Sequence, residues 1–166
     1  VDVQGKLAQL MSERETLFAN LRRMIQGAKA LDIPIIWVEQ LPDKLGPSIP
    51  EVAQEMRDQQ PISKETFSCG GNEEFNAALA ATGRRQVLLT GIETHICVYQ
   101  TACDLLTSGY GVELVTDATS SRFDHNKRLG VAKMQGLGAT LTSTEMVLFE
   151  LMRTAAHPAF RTIQKI

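Results

Sequence analysis

Short, wholly apolar runs alternate along this chain with segments of helical period, and few folds accommodate that alternation. The clearest run is Gln86-Val87-Leu88-Leu89-Thr90-Gly91-Ile92. It is apolar on both faces, as a parallel strand covered by helices on each side must be. A helical segment follows at once, from about residue 94 to 108, and Gly109 and Gly111 close it. Ile33-Pro34-Ile35-Ile36-Trp37-Val38-Glu39 reads the same way. It follows a helix whose Leu17, Leu21, Met24, Ile25, Ala28 and Leu31 recur at steps of three and four. Ser12 and Glu15 stand at the spacing of a capping box, which predicts a helix start near Ser12.

The remaining segments continue the pattern. Residues 41–50, rich in proline, read as a loop, and 51–59 as a short polar helix. Ile62-Ser63-Lys64 is a short strand running into a loop, and Asn72 caps a helix through Ala81 with Glu73 and Glu74 in its first turn. Residues 112–117 form a strand, Asp124 caps a helix to about Leu137, and 139–142 form a last short strand. Ser143 starts a helix through Arg153, and 157–166 make a terminal helix or arm. Strands alternating with helices imply one three-layer α/β domain over residues 1–166, a doubly wound, mostly parallel sheet of about six strands. The opening Val1-Asp2-Val3-Gln4 reads as a first strand entered part-way, so residues upstream are expected.

Charge excludes some functions. Seventeen Lys and Arg against 19 Asp and Glu give a net charge of −2, without the basic stripe that a nucleic-acid binder needs. Three cysteines with no CxxC pair point to a reducing, cytoplasmic compartment. No apolar run reaches the roughly 18–20 residues of a membrane span, and no secretory leader is read.

Sheets of this kind bind ligands at the carboxyl ends of their strands. Asp2 ends the first strand, Lys64 follows the third, and Cys97 follows the fourth, in the first turn of a helix. With Thr94 as N-cap, Cys97 is the third helical residue, where the helix dipole lowers a thiol pKa. A nearby carboxylate could take the thiol proton and a lysine could hold the charged groups, giving an activated nucleophile. The competing reading makes Cys97 a small core hydrophobe. His95, His125 and His157 are scattered and form no metal-ligand pair, so no metal is expected. Gly91-Ile92-Glu93-Thr94 lacks dinucleotide-binding spacing, so no cofactor is expected either. Cys103 is read as a core residue and Asp117 as a backbone-bonding one.

Three segments in this order, Val1-Asp2-Val3-Gln4, Ser63-Lys64-Glu65-Thr66-Phe67-Ser68 and Gly91-Ile92-Glu93-Thr94-His95-Ile96-Cys97-Val98, resemble the isochorismatase-like cysteine hydrolase superfamily. Glu39-Gln40-Leu41-Pro42 with Leu45-Gly46-Pro47 looks most like its isochorismatase domain-containing branch. The resemblance implies strand order 3-2-1-4-5-6 and a catalytic triad of Asp2, Lys64 and Cys97. It implies an oxyanion hole from the backbone N–H groups of Glu93 and Cys97, with a cis peptide between Ile92 and Glu93. Nicotinamidases in the superfamily bind a metal through histidines after the second strand. Residues 39–50 hold none, so a metal-independent enzyme is expected. Isochorismatases cleave a vinyl ether without the cysteine, so Cys97 favours cleavage of an amide-type C–N bond in a small molecule. Leu7, Gln40 and Phe67 are expected to wall the substrate. A vinyl-ether hydrolase, a redox-sensing thiol protein with Cys69 as resolving partner, and a non-catalytic interaction module are the alternatives. The resemblance, and apolar Phe160, Ile163 and Ile166 in need of cover, point to a homo-oligomer.

Overall fold

The long amphipathic segment forms helix α2 (Arg14–Ala30), and the residues repeating at steps of three and four are those it buries: Leu17, Leu21, Met24 and Ile25. The computed structural model describes residues 1–166. The capping box does not form. The N-cap is Glu13, at φ 50°, and no side chain caps the helix. Ser12 is held elsewhere: its N–H donates to the Ser121 carbonyl (3.0 Å), and its carbonyl accepts from Ser120 Oγ (2.6 Å). These bonds tie Ser12 to the end of a distant strand and take it out of capping range.

The sheet differs from the expected single sheet of six strands. Five strands lie in two parallel sheets. One pairs β1 (Val38–Gln40) with β2 (Ile62–Lys64). The other has the order β3 (Gln86–Ile92), β4 (Gly111–Ser120), β5 (Thr140–Thr142). The strand expected over 33–39 shortens to β1, since 33–37 join no ladder. Between the sheets run Val1 and Asp2. The Val1 nitrogen donates to the Thr90 carbonyl (3.1 Å), the Ile92 N–H to the Val1 carbonyl (3.0 Å), and the Asp2 N–H to the Val38 carbonyl (3.3 Å). The first residues thus bond to both sheets.

Helices cover both faces. Helix α2 and α8 (Thr144–Met152) pack on β4 from one side. There Val3, Leu17, Leu21, Met24, Ile92 and Val115 share a core. On the other side α6 (Tyr99–Thr107) and α7 (Asp124–Gly136) pack on β4, and α5 (Glu73–Ala81) joins their core through Phe75 and Leu79. Asn72 caps α5, accepting from the Phe75 N–H (2.8 Å), and Ser143 caps α8, accepting from the Met146 N–H (3.2 Å). Asp124 is not the cap of α7: Phe123 is, and Asp124 stands in the first turn, where a negative charge suits the dipole. The helix expected over 51–59 is α4 (Pro50–Ala53) continued by a 3₁₀ turn (Gln54–Met56). Short helices α1 (Gly5–Gln9), α3 (Pro42–Leu45) and α9 (Phe160–Ile163) complete the chain. Phe160, Ile163 and Ile166 pack with Leu148 and Met152 of α8, which buries Ile163 and covers the other two in part. No helix is long and apolar enough to cross a membrane.

Two glycines of α7 separate packing from propensity. A Cβ on Gly130 would stand 2.9 Å from the His95 Cα, whereas one on Gly136 would meet nothing within 4 Å. Overpacking costs about 1–3 kcal/mol, and Gly-to-Ala in a helix returns up to ~1 kcal/mol. Gly136→Ala is therefore expected to raise the urea midpoint and Gly130→Ala to lower it.

Candidate active site

Three chain segments converge on one ammonium group. Lys64 ends β2 directly opposite Gln40, the last residue of β1. Its side chain is fully buried, and Nζ donates to Asp2 Oδ2 (2.7 Å), Gln40 Oε1 (2.7 Å) and the carbonyls of Thr66 and Phe67 (both 3.1 Å). An ammonium has three protons, so four acceptors saturate it. A buried charge needs this, because desolvation is repaid only by a partner charge and full hydrogen bonding. Asp2, 3% exposed, supplies the only carboxylate of that shell. Its backbone sits at φ 54°, a left-handed conformation that Asp tolerates better than most residues. Asp2 Oδ1 is buried and has no hydrogen-bond partner.

A second amide holds the first. Gln40 Nε2 donates to the Glu65 carbonyl (2.7 Å) and its backbone N–H to Gln4 Oε1 (2.6 Å). Gln4 Nε2 donates to the carbonyls of Gln40 (3.0 Å) and Gly46 (2.7 Å). Gln40 was expected at the substrate wall; both ends of its side chain are bonded within the protein. Leu7 lies half-buried against the core on the α2 side, and Phe67 is 56% exposed above its Lys64-bound carbonyl.

Cys97 sits in a π turn, Thr94–Val98, that joins β3 to α6. The N-cap of this turn is Glu93, not Thr94. Gly91 permits the approach that brings β3 alongside Val1: its φ is +116°, and a Cβ there would stand 2.1 Å from the Val1 carbonyl oxygen. The peptide between Ile92 and Glu93 is cis. The expected low thiol pKa is not found. Burial first and the Asp2 charge second, with Lys64 opposing, push the Cys97 thiol up to about 12. Cys97 is only 8% exposed, so the loss of water outweighs whatever the start of the turn contributes. At neutral pH the thiol is protonated beside a carboxylate oxygen that lacks a donor.

Other side chains surround the site or lie near it. The buried Glu93 carboxylate accepts from the Arg122 backbone N–H (3.0 Å) and its guanidinium (3.2 Å). His95 Nδ1 meets Ser121 Oγ at 3.0 Å. Thr94 Oγ1 is buried without a partner. Cys69 is enclosed and free, its N–H bonded to Thr101 Oγ1 (2.9 Å), and burial pushes its thiol pKa up. Asp117 accepts from the Thr144 N–H (2.8 Å) and so binds backbone as expected. No three His, Cys, Asp or Glu side chains cluster as metal ligands.

Known proteins share this arrangement of chain. A model of the isochorismatase domain matches residues 1–146. Isochorismatase domain-containing protein 2A of Mus musculus is 39% identical over 171 residues, covering 99% of this chain and 79% of its own. The structure of the MAR1 ribonuclease from Caenorhabditis elegans superposes with a TM-score of 0.92 at 34% identity, covering 99% of this chain and 84% of that one. The ycaC gene product of Escherichia coli, described as an octameric hydrolase of unknown specificity, gives 0.89 at 25% identity, with 99% and 89% covered.

The site's electrostatics make two measurable demands. Lys64→Met leaves the buried Asp2 carboxylate unpaired and is expected to cost about 3–5 kcal/mol in urea unfolding, with part recovered in the Asp2→Asn/Lys64→Met double variant. The rate of Cys97 alkylation by iodoacetamide should climb through pH 10 without levelling. In Asp2→Asn the rise should begin at lower pH, because the anion that disfavours the thiolate is gone.

Proposed function

Because this chain belongs to the isochorismatase domain family, and because structural neighbours of that family are hydrolases, we propose that it is a cysteine hydrolase cleaving an amide-type C–N bond of a small molecule. One observation carries the reading: a buried carboxylate oxygen, Asp2 Oδ1, without a donor, in a site where the Asp2 charge acts on the buried Cys97 thiol.

The chemistry follows from that pairing. Lys64 occupies Oδ2 of Asp2 and leaves Oδ1 to take the thiol proton. As the proton passes, the thiolate attacks the substrate carbonyl carbon. The oxyanion is held by the backbone N–H groups of Glu93 and Cys97. The C–N bond breaks, the departing amine takes the proton from Asp2, and a thioester remains on Cys97. Asp2 then removes a proton from water, hydroxide attacks the thioester, and the carboxylic acid leaves as the thiol regains that proton. A thiol pKa near 12 fits this order. The thiolate need not exist at rest and forms only in the act of attack.

The same reading is metal-independent, with Leu7, Gln40 and Phe67 around the substrate, Gln40 acting through Lys64. We place the enzyme in the cytoplasm as a homo-oligomer, which the octameric relative supports. The name of the nematode relative raises RNA as a rival substrate. A net charge of −2 and the burial of Asp2, Lys64 and Cys97 favour a small one.

A panel of small amides, ureas and carbamoyl compounds, screened for ammonia release with RNA in parallel, tests the proposal. Cys97→Ser and Asp2→Asn should each lower kcat/KM on the active compound by at least about 10³-fold, and prior treatment with EDTA should change nothing. Turnover that survives in Cys97→Ser would favour vinyl-ether chemistry, and RNA cleavage without ammonia release would overturn the amide reading.

A further inference from the structure

Strands β3 and β4 stay joined beyond their last ladder pair, Ile92 opposite Ser120. Glu93 carries a carboxylate into the interior, and Arg122 meets it there. The Arg122 N–H donates to Oε2 (3.0 Å), Nε lies 3.2 Å from both carboxylate oxygens, and Nη2 lies 3.2 Å from Oε1. The Glu93 side chain is 4% exposed and that of Arg122 45%. The guanidinium thus reaches from solvent to a buried charge, its planar fork laid against the carboxylate. The Glu93 carbonyl is fixed as well. It accepts from the N–H groups of Ile96 (3.0 Å) and Val98 (3.3 Å), the residues on either side of Cys97. The Glu93 N–H makes no hydrogen bond within the protein. Every polar group of this residue is held except the one that points elsewhere.

Arg122 grips from a fixed base. The Ser121 carbonyl and Ser120 Oγ bond to the backbone of Ser12, and Ser121 Oγ lies 3.0 Å from His95 Nδ1. A tie between two strand ends needs no charge, and an apolar pair would avoid the cost of desolvating one. A carboxylate bonded to a backbone N–H and a planar fork does what an apolar side chain cannot: it sets orientation as well as place. Orientation is what a donor must have in advance if it is to meet charge that develops only during reaction. On the acyl-transfer reading above, on which this rests, the Glu93 N–H is one of two such donors. We propose that Arg122 is a positioning residue: acting through the Glu93 carboxylate, it holds the Glu93 N–H toward the oxygen that gains charge when the Cys97 thiol adds to a carbonyl.

Two reagents separate this role from its rivals. Propionaldehyde adds to the Cys97 thiol: the thiol proton passes to Asp2, the S–C bond forms and the carbonyl electron pair moves to oxygen. Iodoacetamide is attacked at a saturated carbon and loses iodide, so no oxyanion forms. Arg122→Lys keeps the charge and loses the fork. It should bind propionaldehyde about tenfold or more weakly, while Cys97 alkylation stays within about twofold of the parent rate. On an amide that is turned over, kcat should fall by a similar factor with KM unchanged. In a Glu93→Gln background the same substitution should cost nothing further. Undiminished aldehyde binding in Arg122→Lys, no aldehyde binding by the parent, or losses that simply add in the double variant would overturn the proposal. Parallel loss of aldehyde binding and alkylation would overturn it in favour of a merely structural tie. A raised KM at unchanged kcat would overturn it in favour of direct contact with substrate. Turnover that survives in Cys97→Ser would sink the hydrolase reading alone, because the aldehyde comparison does not depend on which substrate the enzyme takes.

Discussion

A single buried ammonium organises the site. Lys64 cannot be placed where it is unless Asp2, Gln40 and the turn carrying Thr66 and Phe67 all arrive with oxygen atoms facing it. These groups come from the segment between the sheets, from β1, and from the loop after β2, so satisfying one charge fixes the relative placement of three pieces of chain. Gln40 is a neutral member of the shell, which leaves one carboxylate for one lysine. Gln4 and Gln40 brace each other through reciprocal amide bonds, and Asp2 lies two residues from Gln4. The oxygen that fixes the ammonium and the one left without a partner belong to the same carboxylate.

That balance explains why the Cys97 thiol is protonated at neutral pH. A thiolate would add a second negative charge to a site already neutral overall, in surroundings that exclude water. Burial dominates the Cys97 shift, and the Asp2 charge adds to it. In the proposed mechanism the thiol and the carboxylate share one proton, and the lysine keeps the carboxylate in place while that proton moves.

Much of this was legible in the sequence because it is local. Apolar runs marked β1 and β3, and Asn72 and Ser143 cap the helices they precede. Asp2, Lys64 and Cys97 stood out as reactive side chains at strand ends. What could not be read depends on partners far along the chain. Ser12 has the spacing of a cap, but Ser120 and Ser121, more than a hundred residues away, claim its backbone. Glu93 looked like a backbone donor alone, until Arg122 took its carboxylate. The run over 33–37 has strand composition and no ladder, since a strand is defined by its neighbours as much as by its residues. Ile163 looked uncovered because α8, which covers it, folds back from earlier in the chain.

Two of the four oxygens around Lys64 are main-chain carbonyls, those of Thr66 and Phe67. A carbonyl is the same whatever side chain its residue bears. The charged centre therefore places no demand on the identity of residue 67, whose ring projects outward and is largely exposed. Residue 67 can be altered, by drift or by design, without disturbing the contacts that hold the buried ammonium. On the proposed reading, the buried centre and a stretch of its rim are thus separately inheritable, and one scaffold could serve many small molecules by exchanging side chains along a turn whose backbone must stay where it is.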